Sequence, residues 1–278
     1  MGVVSEDLEK PELKKPWRDR LSWLNLHGWV QQASRLPEAR WDPESVLRFL
    51  LSLLVTMASV GLIALAADGA IKDVPQEIRR MHLSAASTLL LQAAAVLLVS
   101  RLLLRNQLAW HEAFGFRNTG LGQTVAWGVA AAVLVFPFNI GLAMTSRLVL
   151  QLFSVEPALQ PLVETLGGEL VPRERLLLGI LVVLTAPVVE ELLFRGVFYT
   201  AIKQAGFPGV ALWGTAALFA ATHGNLMTFV PLLFFALVLA ALYERTGNLL
   251  VPMLTHSLFN AANFFMLSVH GIQVRAAP

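Results

Sequence analysis

Cysteine is absent from the 278 residues, and charge is scarce: Asp, Glu, Lys and Arg make up 14% of the chain against 56% hydrophobic residues. Without cysteine there is no disulfide framework, no thiolate nucleophile and no thiolate metal ligand. A soluble domain carries roughly 25% charged residues, so a water-soluble globule is excluded. Net charge is only +2, with no basic block; the electrostatic footprint of nucleic-acid binding is missing, and no nucleic acid is expected as a partner. Internal repeats and low-complexity tracts are missing too.

What charge there is lies unevenly. Residues 1–45 hold eight acidic and seven basic side chains, with Pro11, Pro16 and Pro37 interrupting any long periodicity. They read as a polar N-terminal tail, with an interfacial helix around Trp17 to Val30. Trp17, Trp23, Trp29 and Trp41 are expected to anchor at the membrane surface. The first apolar stretch begins only near Val46, so no cleaved signal peptide is predicted.

From there, apolar segments recur at the roughly 20 residues that a helix needs to cross a bilayer. They fall at about 46–67, 83–104, 122–145, 176–202, 209–223, 227–243 and 249–268. The stretch 146–165 is amphipathic and reads either as interfacial or as an extra span. Backbone groups in lipid must be satisfied internally, and no period-2 alternation appears, so the fold class is all-α: a polytopic transmembrane helix bundle of about seven spans, within six to eight. One membrane domain, 46–270, is expected, with its motif-bearing core at 175–265 and a short C-terminal tail at 271–278. Twelve Lys and Arg lie on the side of the N-terminus against seven opposite, which predicts a cytoplasmic N-terminus. Arg48, Arg101, Arg105, Arg147 and Lys203 flank spans and are expected to snorkel to the interface. His82 and His111 are expected in solvated loops.

Ionisable groups at bilayer depth are costly, and each is a functional hypothesis by default. Here they are concentrated. Span four carries Glu190, Glu191 and Arg195 just after Pro187; span five ends in Phe219 and His223; span seven contains His256 and Asn260. At about 100° per residue, Glu190 and Glu191 should not share a partner, whereas Glu191 and Arg195, four apart, should pair. His256 and Asn260 share a face by the same rule, as do Phe219 and His223. Pro187 should loosen the turn beneath Glu190 and help admit water.

The chemistry that fits is hydrolysis by an activated water. Glu190 is the candidate general base, with His223 also holding the water. His256 and Asn260 are candidate donors to the oxyanion, and Glu191 with Arg195 a supporting ion pair. Thr222, Ser257 and Asn263 lie close enough to support the site.

Glu-Glu-x-x-x-Arg at 190–195, Phe-x-x-x-His at 219–223 and His-x-x-x-Asn at 256–260, in that order on successive apolar segments, resemble the CPBP family of intramembrane proteases, also called the Abi or CAAX-protease family. The connection 242–249, Leu-Tyr-Glu-Arg-Thr-Gly-Asn-Leu, is similar as well. The resemblance implies an all-helical membrane endopeptidase. Eukaryotic members of that family trim prenylated CAAX proteins, and bacterial ones act in peptide processing, self-immunity or surface-protein regulation. It also implies water activation by Glu190 and His223 and oxyanion stabilisation by His256 and Asn260. A peptide or protein substrate, prenylated or not, and the lipid bilayer are the partners it implies.

The family is often labelled metalloprotease. Zinc, if present, would be held by Glu190, His223 and His256, but the chain has no His-Glu-x-x-His pair and the ligands would come from three helices. No cofactor is assigned. Two other classes compete: a proton-coupled transporter, since buried Glu and His also relay protons, and a catalytically silent immunity or scaffold protein. A transporter usually shows duplicated halves, whereas the polar residues here cluster in the C-terminal half alone.

Overall fold

A computed structural model describes residues 34–37, 40–71, 74–154 and 171–276. The interfacial helix expected near 17–30 lies outside them. Among the described residues the chain is helical throughout, without strands: α1 Pro43–Ala70, α2 Gln76–Arg105, α3 Trp110–Phe114, α4 Leu121–Leu152, α5 Pro172–Gln204, α6 Pro208–Thr222, α7 Leu226–Thr246 and α8 Leu250–Ala276. Six of them (α1, α2, α4, α5, α7 and α8) are long and apolar enough to cross a membrane. The seventh expected span, α6, has 15 residues. At 1.5 Å per residue it rises about 22 Å, short of a hydrocarbon core of about 30 Å. Of the ambiguous stretch after 145, residues up to Leu152 simply prolong α4. Helix α8 continues to Ala276, through most of the expected C-terminal tail.

Chain chemistry sets the ends. Asp42 caps α1, accepting from the Ser45 backbone N–H at 2.8 Å, with Pro43 opening the helix. That N–H holds the Asp42 carboxyl below its usual range. Asn225 caps α7 in the same way. Gly247, at φ +61°, ends α7; a Cβ there would lie 2.0 Å from the Arg35 carbonyl oxygen, so the position needs glycine twice over.

Helix α5 is the axis of the bundle. Leu192 and Val197 enter the core shared with α1, α2 and α3, Phe194 the core of α4, α6, α7 and α8, and Tyr199 a third cluster with Ala211, Leu212 and Ala240. Small residues let helices approach, as they must where lipid supplies no hydrophobic drive for association. A Cβ on Gly128 would meet Leu254 at 2.7 Å, and one on Gly196 would meet Phe114 at 2.8 Å. Away from these contacts the apolar side chains face outward: Leu62, Leu65 and Leu104 are 67%, 71% and 79% exposed. Such a surface suits lipid and not water.

Three expectations change. Trp41 does not anchor at the surface; it is buried, its indole N–H donating to Thr200 Oγ1 at 2.8 Å and its backbone N–H to Gln204 Oε1 at 3.0 Å. Lys203 turns inward instead of snorkelling, onto the buried carboxylate of Glu244. His82 and His111 lie on α2 and α3 rather than in loops, and exposed His82 sits 3.3 Å from Glu174 Oε1.

Candidate active site

Helix α5 does not run as a regular α-helix through the motif. Its hydrogen bonding slips to the π register over Ile180–Thr185 and again over Leu192–Tyr199, leaving a short α-helical segment, Ala186–Glu191, between. Proline accounts for the first slip. The Ala186 N–H reaches back five residues to the Leu181 carbonyl. The next bond in that register would run from residue 187 to Val182, and Pro187 has no N–H to give. The Asn260 side chain supplies it from α8, Nδ2 donating to the Val182 carbonyl at 2.9 Å. Irregular turns of this kind gather at functional sites.

Glu191 is completely buried, and its Oε1 accepts from Arg195 Nη1 at 2.8 Å and from His256 Nδ1 at 2.9 Å. Glu191 Oε2 has no partner among the described residues. Arg195, 2% exposed, spends Nη2 on the Ala236 carbonyl of α7 at 3.0 Å and lies 4.8 Å over the Phe219 ring. A desolvated cation over an aromatic face is worth about 2 kcal/mol, a real offset to burying a guanidinium. Arg195 thereby joins α5, α6 and α7.

His256 is the meeting point. A carboxylate can only accept, so Nδ1 carries a proton toward Glu191; Nε2 then faces Glu190 Oε2 at 3.8 Å, beyond direct hydrogen-bond reach. Glu190 and Glu191 therefore do share a partner, against the 100° expectation. Each faces a different edge of one imidazole, so the 100° between adjacent residues is kept while one ring spans both directions. Phe219 and Phe235 stand edge-on to that ring at 5.8 and 5.2 Å and fix its plane. Glu190 keeps 31% of its side chain exposed and makes no hydrogen bond among the described residues.

His223 follows the last residue of α6, where Gly224 at φ +61° turns the chain. Its Nδ1 donates to the Phe219 carbonyl at 2.8 Å, which satisfies one of the acceptors left open at a helix C-terminus. The neutral ring then has a free Nε2 lone pair. His223 packs on Phe219 at 4.9 Å, and Phe219 in turn touches His256, so the two imidazoles are joined through that phenyl ring. The structure thus gathers Glu190, Glu191, Arg195, Phe219 and His256 directly and places His223 beside Phe219. Asn260, one turn from His256, is engaged with Val182. Thr222 and Asn263 bond to carbonyls of their own helices, those of Phe219 and Phe259.

Zinc does not fit these residues. No three His, Asp or Glu side chains converge as metal ligands among the described residues. The expected set of Glu190, His223 and His256 is not assembled as ligands, and the metalloprotease label finds no support.

Residues 172–262 match the family described as type II CAAX prenyl endopeptidase Rce1-like. Glu190, Glu191, Arg195, Phe219, His223, His256 and Asn260 all lie in that stretch. Over that third of the chain it resembles the CAAX-protease (CPBP) family. A Bacillus subtilis (strain 168) protein, "Uncharacterized protein YpbD", is 37% identical over 76 residues, covering 26% of this chain and 36% of that protein. The chain thus matches little more than a third of that relative's length. No solved structure matches the chain. Six helices long and apolar enough to cross a membrane, together with this match, make the chain an integral multi-pass membrane protein.

One buried ionisable group escaped the sequence reading. Glu244, near the end of α7, is fully buried and takes the Tyr199 hydroxyl and the Lys203 ammonium on Oε1. Its signal was a Tyr-Glu-Arg run ending an apolar segment, which reads equally as a turn.

Proposed function

We propose that the chain is an intramembrane endopeptidase of the CAAX-protease type, with its N-terminus in the cytoplasm. The observation that carries the reading is Glu190: half-buried, without a hydrogen bond among the described residues, and 3.8 Å from an imidazole whose far nitrogen is anchored to Glu191. A carboxylate so placed is free to take a proton.

In this reading a water lies against Glu190 Oε2 and donates its second hydrogen to the free His223 Nε2. Glu190 takes one proton as the water oxygen attacks the scissile carbonyl carbon. His256, with a proton on Nε2, and the second N–H of Asn260 donate to the oxyanion. When the C–N bond breaks, the proton held by Glu190 passes to the leaving amine. No step requires a metal.

The test is cleavage of a panel of prenylated and unprenylated peptides by detergent-purified protein, with and without a strong chelator. Cleavage that survives chelation and is lost in Glu190→Gln is the expected result. Full activity in Glu190→Gln overturns the base assignment, and loss with chelator restores the metal account. Inactivity on every peptide favours a transporter or a silent scaffold.

A further inference from the structure

At the end of the bundle where α1 begins and α2 finishes, the two helices enclose a cavity of about 310 Å³ lined by Ser45, Arg48, Phe49, Ser52, Arg101 and Arg105, with Leu51, Leu98 and Leu102 extending it. The lining follows helical spacing on both walls. Positions 45, 48, 49 and 52 form one face of α1, and 98, 101, 102 and 105 one face of α2. The Asp42 N–H donates to Asn106 Oδ1 at 2.8 Å and pins the helix ends together.

The charges in this cavity are not balanced. Three guanidinium groups line it and no acidic side chain does. Arg48 pairs with exposed Glu44. Arg101 and Arg105 make no hydrogen bond or ion pair among the described residues, although their i,i+4 spacing sets like charges side by side, an arrangement that costs stability. The polar lining also grades into an apolar one. Leu51 and the neighbouring Leu47, Leu54, Leu97 and Leu104 face outward on the same helix pair, so the cavity adjoins surface suited to acyl chains.

We propose that this cavity binds an anionic glycerophospholipid, its phosphate held by Arg101, Arg105 and Arg48 and its acyl chains lying along Leu98 and Leu51. Guanidinium forks match phosphate oxygens in pairs, and basic pockets between transmembrane helices select anionic head groups. Phe49 and Leu102, buried at the inner wall, limit how far the head group enters. The site is separate from Glu190 and its partners, and its existence does not depend on what they catalyse.

The experiment is native mass spectrometry of the full chain in detergent, titrated with phosphatidylglycerol or phosphatidylcholine. The wild type is expected to retain one phosphatidylglycerol at least tenfold more tightly than phosphatidylcholine. Arg101→Ala with Arg105→Ala should abolish that preference, whereas exposed Arg147→Ala, on α4, should leave it intact. The Arg→Lys pair guards against a folding defect: it keeps the charge without the fork and should retain part of the preference. Equal retention of phosphatidylglycerol by wild type and the Ala pair overturns the proposal. Displacement of the lipid by millimolar inorganic phosphate overturns it in favour of a free-anion site. No preference in the full chain also overturns it.

Discussion

Helix α5 carries the cationic member of two buried ion pairs about two turns apart, and they are put to different use. Around Glu191, the partners are Arg195 and His256, and a second carboxylate, Glu190, stands at the edge with a third of its surface open. Around Glu244, a Tyr199 hydroxyl and the Lys203 ammonium converge on one oxygen, with no second carboxylate alongside. The ingredients are nearly the same. What separates them is access and an unspent group: the first cluster leaves Glu190 free of hydrogen bonds, and the second ties the end of α5 to the end of α7. Burial of charge alone does not mark a reactive site.

The largest expected effect tests that division directly. Glu190→Gln should lower peptide cleavage by about 10²- to 10⁴-fold while leaving the melting temperature in detergent unchanged, since no hydrogen bond is lost. Glu191→Leu comes next and does the opposite. It strands Arg195 in the interior, which costs about 3–5 kcal/mol, read by denaturant unfolding; adding Arg195→Leu should restore most of that loss. Glu244→Gln keeps an acceptor for Tyr199 but removes the charge that faces Lys203. About 1–3 kcal/mol of stability should go, with turnover per folded molecule unchanged. A well-folded but inactive Glu244→Gln would erase the distinction between the clusters. The smallest effect is a coupling. Pro187→Ala returns an N–H to Val182, so Asn260→Leu should cost about 0.5–1 kcal/mol less in that background than in the wild type, measured as a double-mutant cycle.

The all-helical membrane architecture was legible because lipid thickness imposes a length on every span, and the pairing of Glu191 with Arg195 because four-residue spacing holds across a short stretch of α5. Two things were not. The approach of Glu190 and Glu191 to opposite edges of His256 escaped because spacing along α5 does not say which ring of α8 lies between them, and the π turns of α5 escaped because Pro187 signalled a disturbance but not its register. Glu244 and Trp41 escaped for another reason. Both sit beside Gly, Pro or polar residues that read as turn and tail, and only the packing of α5 against distant segments buries them. Asn260 illustrates a third limit, since one spacing rule cannot tell a reacting amide from one repairing a neighbouring helix.

The contact at Gly247 also bears on the order of assembly. Arg35 donates its backbone N–H to the Glu244 carbonyl, and Ser34 receives the Lys203 ammonium, so a segment preceding the first span is fastened to the last turns of the fifth and seventh helices. About two hundred residues separate the two halves of that latch. At translation rates of 5–20 residues per second, roughly ten to forty seconds pass before its second half exists. Residues 34–37 therefore wait through the synthesis of nearly the whole bundle, and their closure marks a chain whose α7 has already arrived.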